Sequence, residues 1–196
     1  PKYGEIGVSC ELPETVRDMP VHLDPSFVEL GFCETYTYGD PFGVKARPLL
    51  DLSAGDIVYF YASLAPEGSG HADWITREWG VYVIGQFVLA IDPVDPAEWE
   101  ALGTSSKQAL RTNAHWKRET FDAKVLLLGD DDQSALLDRA IPLNVPGDGT
   151  DANDLVVDLS SDSGKGPWWR RPLRFGEAGT RTIQLLRKQD PPVQGA

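Results

Sequence analysis

A single stretch decides the predicted fold: Gly80-Val81-Tyr82-Val83-Ile84-Gly85-Gln86-Phe87-Val88-Leu89-Ala90-Ile91. It is rich in β-branched and aromatic residues, which pack well on a pleated surface, and it therefore predicts a long strand. Upstream of it, Ile57-Val58-Tyr59-Phe60-Tyr61-Ala62 predicts a second strand, and its continuous apolar composition predicts burial on both faces. Two neighbouring strands joined by a long loop predict an antiparallel meander.

Further elements around these two strands predict an α+β fold. The pair Asp95-Pro96 supplies an N-cap and a first helical residue, so we expect a short helix there. The other predicted elements are a helix over 105–111, a strand over 123–128, one helical turn over 134–139, a strand over 140–143 and a helix over 180–188. Together they predict a curved, mostly antiparallel sheet or a small barrel with short helices packed around it.

The length and composition indicate one folded domain. A chain of 196 residues with 41% hydrophobic residues can bury a core. We expect residues 1–20 to form an N-terminal arm, 21–188 a single α+β domain and 189–196 a flexible tail. No run of about eighteen apolar residues occurs, which excludes a helical membrane span, and no apolar signal region argues for secretion. We therefore expect a cytoplasmic protein.

The charge is strongly negative. The net charge is −12, with 19 aspartates against 11 glutamates and 11 arginines against 7 lysines. Short carboxylates and few lysines are typical of proteins from a halophilic cytosol, although an ordinary acidic protein is the alternative. Because high salt screens long-range charge effects, the negative sign does not argue strongly against a nucleic-acid partner.

The run Asn113-Ala114-His115-Trp116-Lys117-Arg118 is the densest group of polar functional side chains. It places an amide, an imidazole, an indole and two cations within six residues, between strand-like runs on both sides. Segments of this kind are positioned by a scaffold while their side chains stay reachable, which predicts a functional loop or helix end. The alternative is a structural histidine packed near a tryptophan.

The positive charges cluster in three windows. These are Lys45 with Arg47, then Arg111 with Lys117 and Arg118, and finally Arg170, Arg171 and Arg174. Arginine binds phosphates bidentately and aromatic faces stack on bases, so Trp168-Trp169-Arg170-Arg171 predicts a nucleotide contact. The alternative is a tryptophan pair in the core, with the arginines paired to nearby carboxylates.

A second polar and aromatic group precedes the first predicted strand. It contains His22, Asp24, Tyr36, Tyr38 and Asp40. Here His22 could transfer protons with Asp24 or Asp40 as its partner, whereas the structural alternative is a capping aspartate beside a packed histidine.

Several other site types find no support. The spacing around Gly164-Lys165 fails the phosphate-loop pattern, and no Gly-x-Ser-x-Gly sequence occurs. Three histidines, at 22, 71 and 115, and two cysteines without a CxxC pattern predict no metal centre. The sequence identifies no cofactor and no oligomeric state.

Several of these motifs occur in an order that resembles a known family. They are His22-Leu23-Asp24-Pro25, Tyr36-Thr37-Tyr38-Gly39-Asp40-Pro41, Gly55-Asp56, Tyr82-Val83-Ile84-Gly85-Gln86-Phe87, Asn113-Ala114-His115 and Gly164-Lys165-Gly166-Pro167-Trp168-Trp169-Arg170-Arg171-Pro172-Leu173. In this order they resemble the third of the nucleotide-modification-associated domain families, in the version found in halophilic archaea. The resemblance covers about residues 20 to 175.

The resemblance implies an association with enzymes that modify DNA bases, and it carries over no catalytic residue. Family members begin further upstream, so we expect that Pro1 is not the native start. The strands over 55–62 and 82–89 also resemble the pseudouridine-synthase-and-archaeosine-transglycosylase-like barrel group. Several members of that group hold a modified or flipped base in an aromatic pocket.

We therefore predict a nucleotide or nucleic-acid base bound in an aromatic and basic pocket, with DNA or a nucleotide as the partner. The predicted binding residues are Tyr36, Tyr38, Asp40, Arg47, Asn113, His115, Lys117, Arg118, Trp168, Trp169, Arg170 and Arg171. One alternative is a base-modifying transferase or hydrolase with His115 as general base, for which His22 and Asp40 are further catalytic candidates. Another is a module that docks a DNA-modifying enzyme through Trp168 and Trp169.

Overall fold

The structure is a computed structural model that describes residues 2–6, 12–65, 79–145 and 148–188. It contains both strands and helices, and the predicted α+β class is confirmed. The strands are β1 (Thr37–Asp40), β2 (Ile57–Leu64), β3 (Gly80–Val88), β4 (Val125–Leu128), β5 (Ala135–Pro142), β6 (Asn144–Val145) and β7 (Asp148–Ala152).

The helices are mostly short. The α-helices are α1 (Glu14–Arg17), α2 (Gly43–Leu50), α3 (Thr104–Leu110), α4 (Asp154–Val157) and α5 (Glu177–Lys188). Short 3-10 helices cover Tyr3–Glu5, Val28–Leu30, Pro96–Ala101, Ala114–Lys117 and Trp168–Arg170. Across these described ranges, no helix has both the length and the apolar character that crossing a bilayer requires.

The strands form three small sheets. β1 pairs antiparallel with β4, so that Thr37 lies opposite Leu128 and Asp40 opposite Val125. The second sheet has the order β2-β3-β5, and β6 pairs antiparallel with β7. Within the described ranges none of the three sheets closes on itself. Of the two predicted alternatives, an open sheet or a small barrel, the structure therefore shows open sheets. The decisive stretch of the sequence is the central strand of the largest sheet.

The chain divides into two compact units. The first consists of residues 1–58 and 87–136, and the second of residues 59–86 and 137–196. Because each unit combines two separate stretches, the division is not a single boundary along the sequence. The single domain over 21–188 and the arm over 1–20 therefore stay predictions, and the tail over 189–196 lies outside the described residues.

The core of the first unit is built on both faces of β4. Val125 and Leu127 pack into one cluster with Ala46 and Leu89, whereas Leu126 packs into another. This alternation follows from the period of two along a strand, and it explains why the run is apolar at every position. Leu110, at the end of α3, belongs to the same cluster as Leu126, so the core fixes the segment that follows α3.

The core of the second unit is organised around Trp168. Its side chain is fully buried, and its indole N–H donates a hydrogen bond to the Thr150 carbonyl at 3.0 Å. Trp169 is half-buried and meets Trp79 edge to face, with ring centroids 5.3 Å apart. The indole of Trp168 therefore supports the fold of this unit, as the structural alternative for the Trp-Trp-Arg-Arg motif predicts.

Two local predictions are wrong. The 134–139 stretch is not a helical turn: β5 begins at Ala135, because the pairing of β5 with β3 outweighs the helical preference of Ala135-Leu136-Leu137. The predicted two-sided burial of β2 is also wrong, since residues 57–62 are only half-buried. The helices predicted after Asp95 and before Arg111 are both present, as Pro96–Ala101 and α3.

Arg171 closes the loop that precedes it. Its guanidinium donates to both carboxylate oxygens of Asp162, at 2.7 and 2.8 Å, and to the Lys165 carbonyl at 2.8 Å. These hydrogen bonds hold the pKa of the Asp162 carboxyl below its ordinary value. A depressed carboxyl pKa contributes stability that is present above the unfolded pKa and is lost as the pH falls below it.

We expect Arg171→Gln to be less stable than the wild type near neutral pH. The difference should shrink as the pH falls below about 4, the ordinary pKa of an aspartate, because the unfolded chain then binds a proton that Asp162 in the folded protein takes up only at a lower pH. Urea unfolding at several pH values measures this. Arg139→Gln is the control, since Arg139 is an exposed arginine of the same unit. A wild-type-minus-variant difference that stays constant with pH would contradict the assignment.

Candidate functional site

The segment after α3 is a capped single turn. Asn113 ends the turn that follows α3, and its side-chain oxygen accepts a hydrogen bond from the His115 backbone N–H at 3.0 Å. Asparagine is a preferred N-cap because its oxygen satisfies a backbone donor that the helix leaves unpaired. The loop or helix end predicted for Asn113–Arg118 is therefore the 3-10 turn Ala114–Lys117, and the Asn113 cap fixes its start.

His115 lies between two carboxylates. Its Nδ1 is 2.5 Å from an oxygen of Asp122, and its Nε2 is 3.1 Å from an oxygen of Asp24. The residue is 1% exposed. With both ring nitrogens engaged and almost no access to solvent, this imidazole is suited to hold neighbouring groups in place. The two carboxylates in contact with His115 are thus those of Asp24 and Asp122.

Asp24 is buried but well supplied with donors. One of its oxygens accepts from the Gly39 backbone N–H and from the Asn113 amide, both at 3.1 Å. Burial raises the pKa of Asp24 to about 6, against the opposing effect of these hydrogen bonds and of His115. The carboxyl group of Asp24 is therefore stabilised by its hydrogen bonds against the cost of its burial.

Two further side chains complete the group, which we call the histidine–carboxylate cluster: His22, Asp24, His115, Arg118 and Asp122. Arg118 binds the second oxygen of Asp122 and donates through Nη2 to the Nε2 of His22 at 3.4 Å. The ring of His22 meets that of His115 edge to face, with centroids 4.9 Å apart. Burial, followed by the charges of Arg118 and His115, lowers the pKa of His22, so its ring is neutral near pH 7.

The pKa of Asp122 follows from the same contacts. Partial burial acts to raise this pKa, but the hydrogen bonds and charges of His115 and Arg118 outweigh that effect and keep it below the ordinary value. Asp122 thus stays ionised and orients two side chains at once. It is the one member of the cluster that the sequence analysis missed. The only signal was its spacing of four residues after Arg118, a spacing at which a pair often interacts.

A cavity of about 390 Å³ opens beside the cluster. It is lined by Pro20, Val21, His22, Leu23, Ser26, Phe32, Cys33, Glu34, Thr112, Ala114, Lys117 and Arg118. Two of these side chains, Lys117 and Arg118, are cationic, and one, Glu34, is acidic. All twelve belong to the first unit. The outer members of the cluster, His22 and Arg118, thus form part of the cavity wall, whereas His115 and Asn113 lie behind it.

The predicted residues near β1 have structural contacts. Tyr36 is buried against Phe87, with ring centroids 5.7 Å apart. The hydroxyl of Tyr38 donates to Asp40 at 2.6 Å, and Asp40 also accepts from the Phe42 backbone N–H. None of Tyr36, Tyr38 and Asp40 lines the cavity, although β1 itself supplies the Gly39 N–H to the cluster.

The remaining predicted residues lie elsewhere. Arg47 is exposed on α2 in the first unit. Trp116 packs between Trp99 and Phe121, with centroids 4.7 and 4.2 Å away, and it does not line the cavity. Trp168, Trp169, Arg170 and Arg171 belong to the second unit. Of the twelve predicted binding residues, the structure thus brings Lys117 and Arg118 to the cavity and Asn113 and His115 directly behind it.

The close approach of β1 to His115 requires glycine at position 39. A Cβ atom there would lie 2.6 Å from the His115 ring and 3.1 Å from the Asn113 side-chain oxygen. We expect Gly39→Ala to lower the free energy of unfolding by about 1–3 kcal/mol, the usual cost of overpacking a fixed interior. Chemical unfolding followed by circular dichroism measures the change.

The matched control is Gly43→Ala. Gly43 starts α2, and a Cβ atom there meets nothing within 4 Å. Alanine favours a helix over glycine, so this variant should be neutral or slightly more stable. If both variants lose the same stability, the close contact of β1 with His115 does not constrain the fold.

Comparison with known proteins places this arrangement in a family. No curated protein and no solved structure matches the chain. The family described as nucleotide modification associated domain 3 matches it over residues 1–185, which include the whole cluster and cavity. The predicted family is confirmed, the version from halophilic archaea stays a prediction, and the name of the family links the chain to nucleotide modification. The chain therefore belongs to the nucleotide modification associated domain 3 family.

Proposed function

We propose that the first unit binds a nucleotide, free or within DNA, in the cavity beside the histidine–carboxylate cluster. The observation that carries this proposal is the pair of cationic side chains, Lys117 and Arg118, in the cavity wall. In a chain of net charge −12, two cationic side chains beside one cavity form a local site for an anion. A cavity of about 390 Å³ also lies in the range of small-molecule sites, about 300–1,000 Å³.

The side chains divide the work of binding by their chemistry. Arg118 is held by Asp122, so its guanidinium is already oriented, and arginine and lysine are the residues that bind phosphate most readily. Phe32 is 44% exposed and lines the same cavity, which offers an apolar surface to a base or sugar. The neutral ring of His22 adds a polar group that can exchange hydrogen bonds with the ligand.

The alternatives from the sequence draw less support from this geometry. A general base must reach the proton it removes, and His115 is 1% exposed with both ring nitrogens engaged. A docking module anchored on Trp168 needs an accessible indole, and Trp168 is fully buried. Nucleotide binding needs only the groups that the cavity presents.

Binding of deoxycytidine monophosphate in the presence of a chelator tests the proposal. We expect Lys117→Ala and Arg118→Gln each to weaken binding about tenfold, because each removes a charge-assisted hydrogen bond worth about 1.5 kcal/mol or more. Isothermal titration calorimetry gives the dissociation constants. Deoxycytidine without its phosphate should bind more weakly than the monophosphate.

The control is Lys124→Ala. Lys124 is an exposed lysine of the same unit that does not line the cavity, so its loss changes the net charge equally without touching the site. If Lys124→Ala weakens binding as much as Lys117→Ala, the attraction is nonspecific. If the wild-type protein does not bind the monophosphate, the proposal is wrong.

A further inference from the structure

Three potential metal ligands converge on one point in the first unit. They are the Nε2 atoms of His22 and His115 and one carboxylate oxygen of Asp24. The Asp24 oxygen lies 3.1 Å from His115 Nε2 and 3.8 Å from His22 Nε2, and all three ligand atoms lie within 4.8 Å of one another. The two imidazoles also present the same nitrogen, Nε2, to this point.

These separations are close to those around a bound metal ion. In a tetrahedral zinc site with bonds of about 2.0–2.1 Å, neighbouring ligand atoms lie roughly 3.4 Å apart. The two measured separations from Asp24 fall on either side of this value. The three ligand atoms lie within 4.8 Å of one another, so the exposed His22 side chain has to move closer to the other two ligands when the ion binds.

Hydrogen bonds with neighbouring residues orient two of the three ligands, His115 and Asp24, as is usual around a metal ion. Asp122 binds the Nδ1 of His115, which directs Nε2 toward Asp24. The Asn113 amide donates to the other oxygen of Asp24, and the Gly39 N–H donates to both oxygens, so the carboxylate is held with its ligand oxygen beside the two imidazoles. In metal sites a histidine ligand usually donates its other ring N–H to a carboxylate, and a carboxylate ligand usually accepts further hydrogen bonds.

We propose that His22, Asp24 and His115 bind a divalent first-row transition metal ion. Two imidazoles and one carboxylate suit ions such as Zn²⁺, Fe²⁺ or Co²⁺ rather than Mg²⁺ or Ca²⁺. Three protein ligands leave a coordination position for water or for an oxygen of a molecule in the neighbouring cavity. The sequence predicted no metal centre, because the ligands come from positions 22, 24 and 115 and follow no short spacing pattern.

Arg118 competes with the ion. Its Nη2 donates to the Nε2 of His22 at 3.4 Å, so this contact must open when the metal binds. Arg118 keeps a second anchor on Asp122 through Nη1, which lets the guanidinium turn away without leaving the cluster. Removing this arginine should therefore strengthen metal binding, whereas a merely adventitious site elsewhere would not respond.

The test is metal titration of the full chain after removal of metals with a chelator and then removal of the chelator. Isothermal titration calorimetry with Zn²⁺ should show one equivalent bound, and Co²⁺ should give the visible absorption of a tetrahedral or five-coordinate site. We expect His22→Ala to bind Zn²⁺ at least tenfold more weakly and Arg118→Gln to bind it more tightly. His71→Ala, which removes the histidine outside the proposed ligand set, should match the wild type.

The outcomes are decisive without any nucleotide present, so they stand apart from the nucleotide-binding proposal. No stoichiometric Zn²⁺ binding by the wild type would overturn the metal site, as would equal affinity in His22→Ala. His22 is exposed, so its variant should fold, and circular dichroism checks this. If His22→Ala does not fold, Asp24→Asn and the Arg118→Gln affinity decide: unchanged Zn²⁺ binding in both would refute the site.

Discussion

The first unit depends on one interaction, the enclosure of the His115 imidazole between Asp24 and Asp122. Burying ionisable groups is costly unless each has a partner, and removing one partner of such a group leaves the others uncompensated. Here the ring nitrogens of His115 and the carboxylate oxygens of Asp24 and Asp122 all have hydrogen-bond partners. Asp24 accepts further hydrogen bonds from the Gly39 N–H and the Asn113 amide. These hydrogen bonds connect segments that lie far apart in the sequence, around positions 24, 39, 115 and 122.

The residues in and around this hydrogen-bond network fall into two groups, those that position other side chains and those that line the cavity. His115 and Asn113 are buried and fully hydrogen-bonded, so they fix the positions of other groups. His22, Lys117 and Arg118 line the cavity and stay reachable. The distinction agrees with a general pattern, in which a functional group is held by neighbours that are themselves locked by hydrogen bonds. The proposed nucleotide site uses the reachable group, whereas the proposed metal site joins the reachable His22 to the buried His115 and Asp24.

The sequence predicted the elements better than their partners. The central strand β3, the run of β4 and the cap Asp95-Pro96 follow from local composition, because apolar continuity and capping residues act over a few positions. The helical turn expected at 134–139 failed, since pairing with β3 decided that segment. Local pattern also could not show that Trp168 is buried while its neighbour Arg170 is exposed.

The site was predicted only in part, for a similar reason. Asn113–Arg118 is dense in functional groups, so composition alone pointed to it. Its contacts with Asp24 join residues about ninety positions apart in the sequence, and no local sequence pattern predicts such contacts. Tyr36 and Tyr38 have rings that can stack on a nucleic-acid base. In the structure, however, Tyr36 is buried in the core and the Tyr38 hydroxyl donates a hydrogen bond to Asp40. The spatial arrangement, rather than the residue type, distinguishes these cases.

The central claim is that the cavity beside the cluster is the binding site of the first unit. The most direct measurement is nuclear magnetic resonance of the labelled protein as a deoxynucleoside monophosphate is added. The account predicts that the His22 ring and the backbone signals around 20–26 and 112–118 shift together, while those of Trp168 and Arg171 do not. Shifts confined to 168–171, with the His22 ring unchanged, would contradict it.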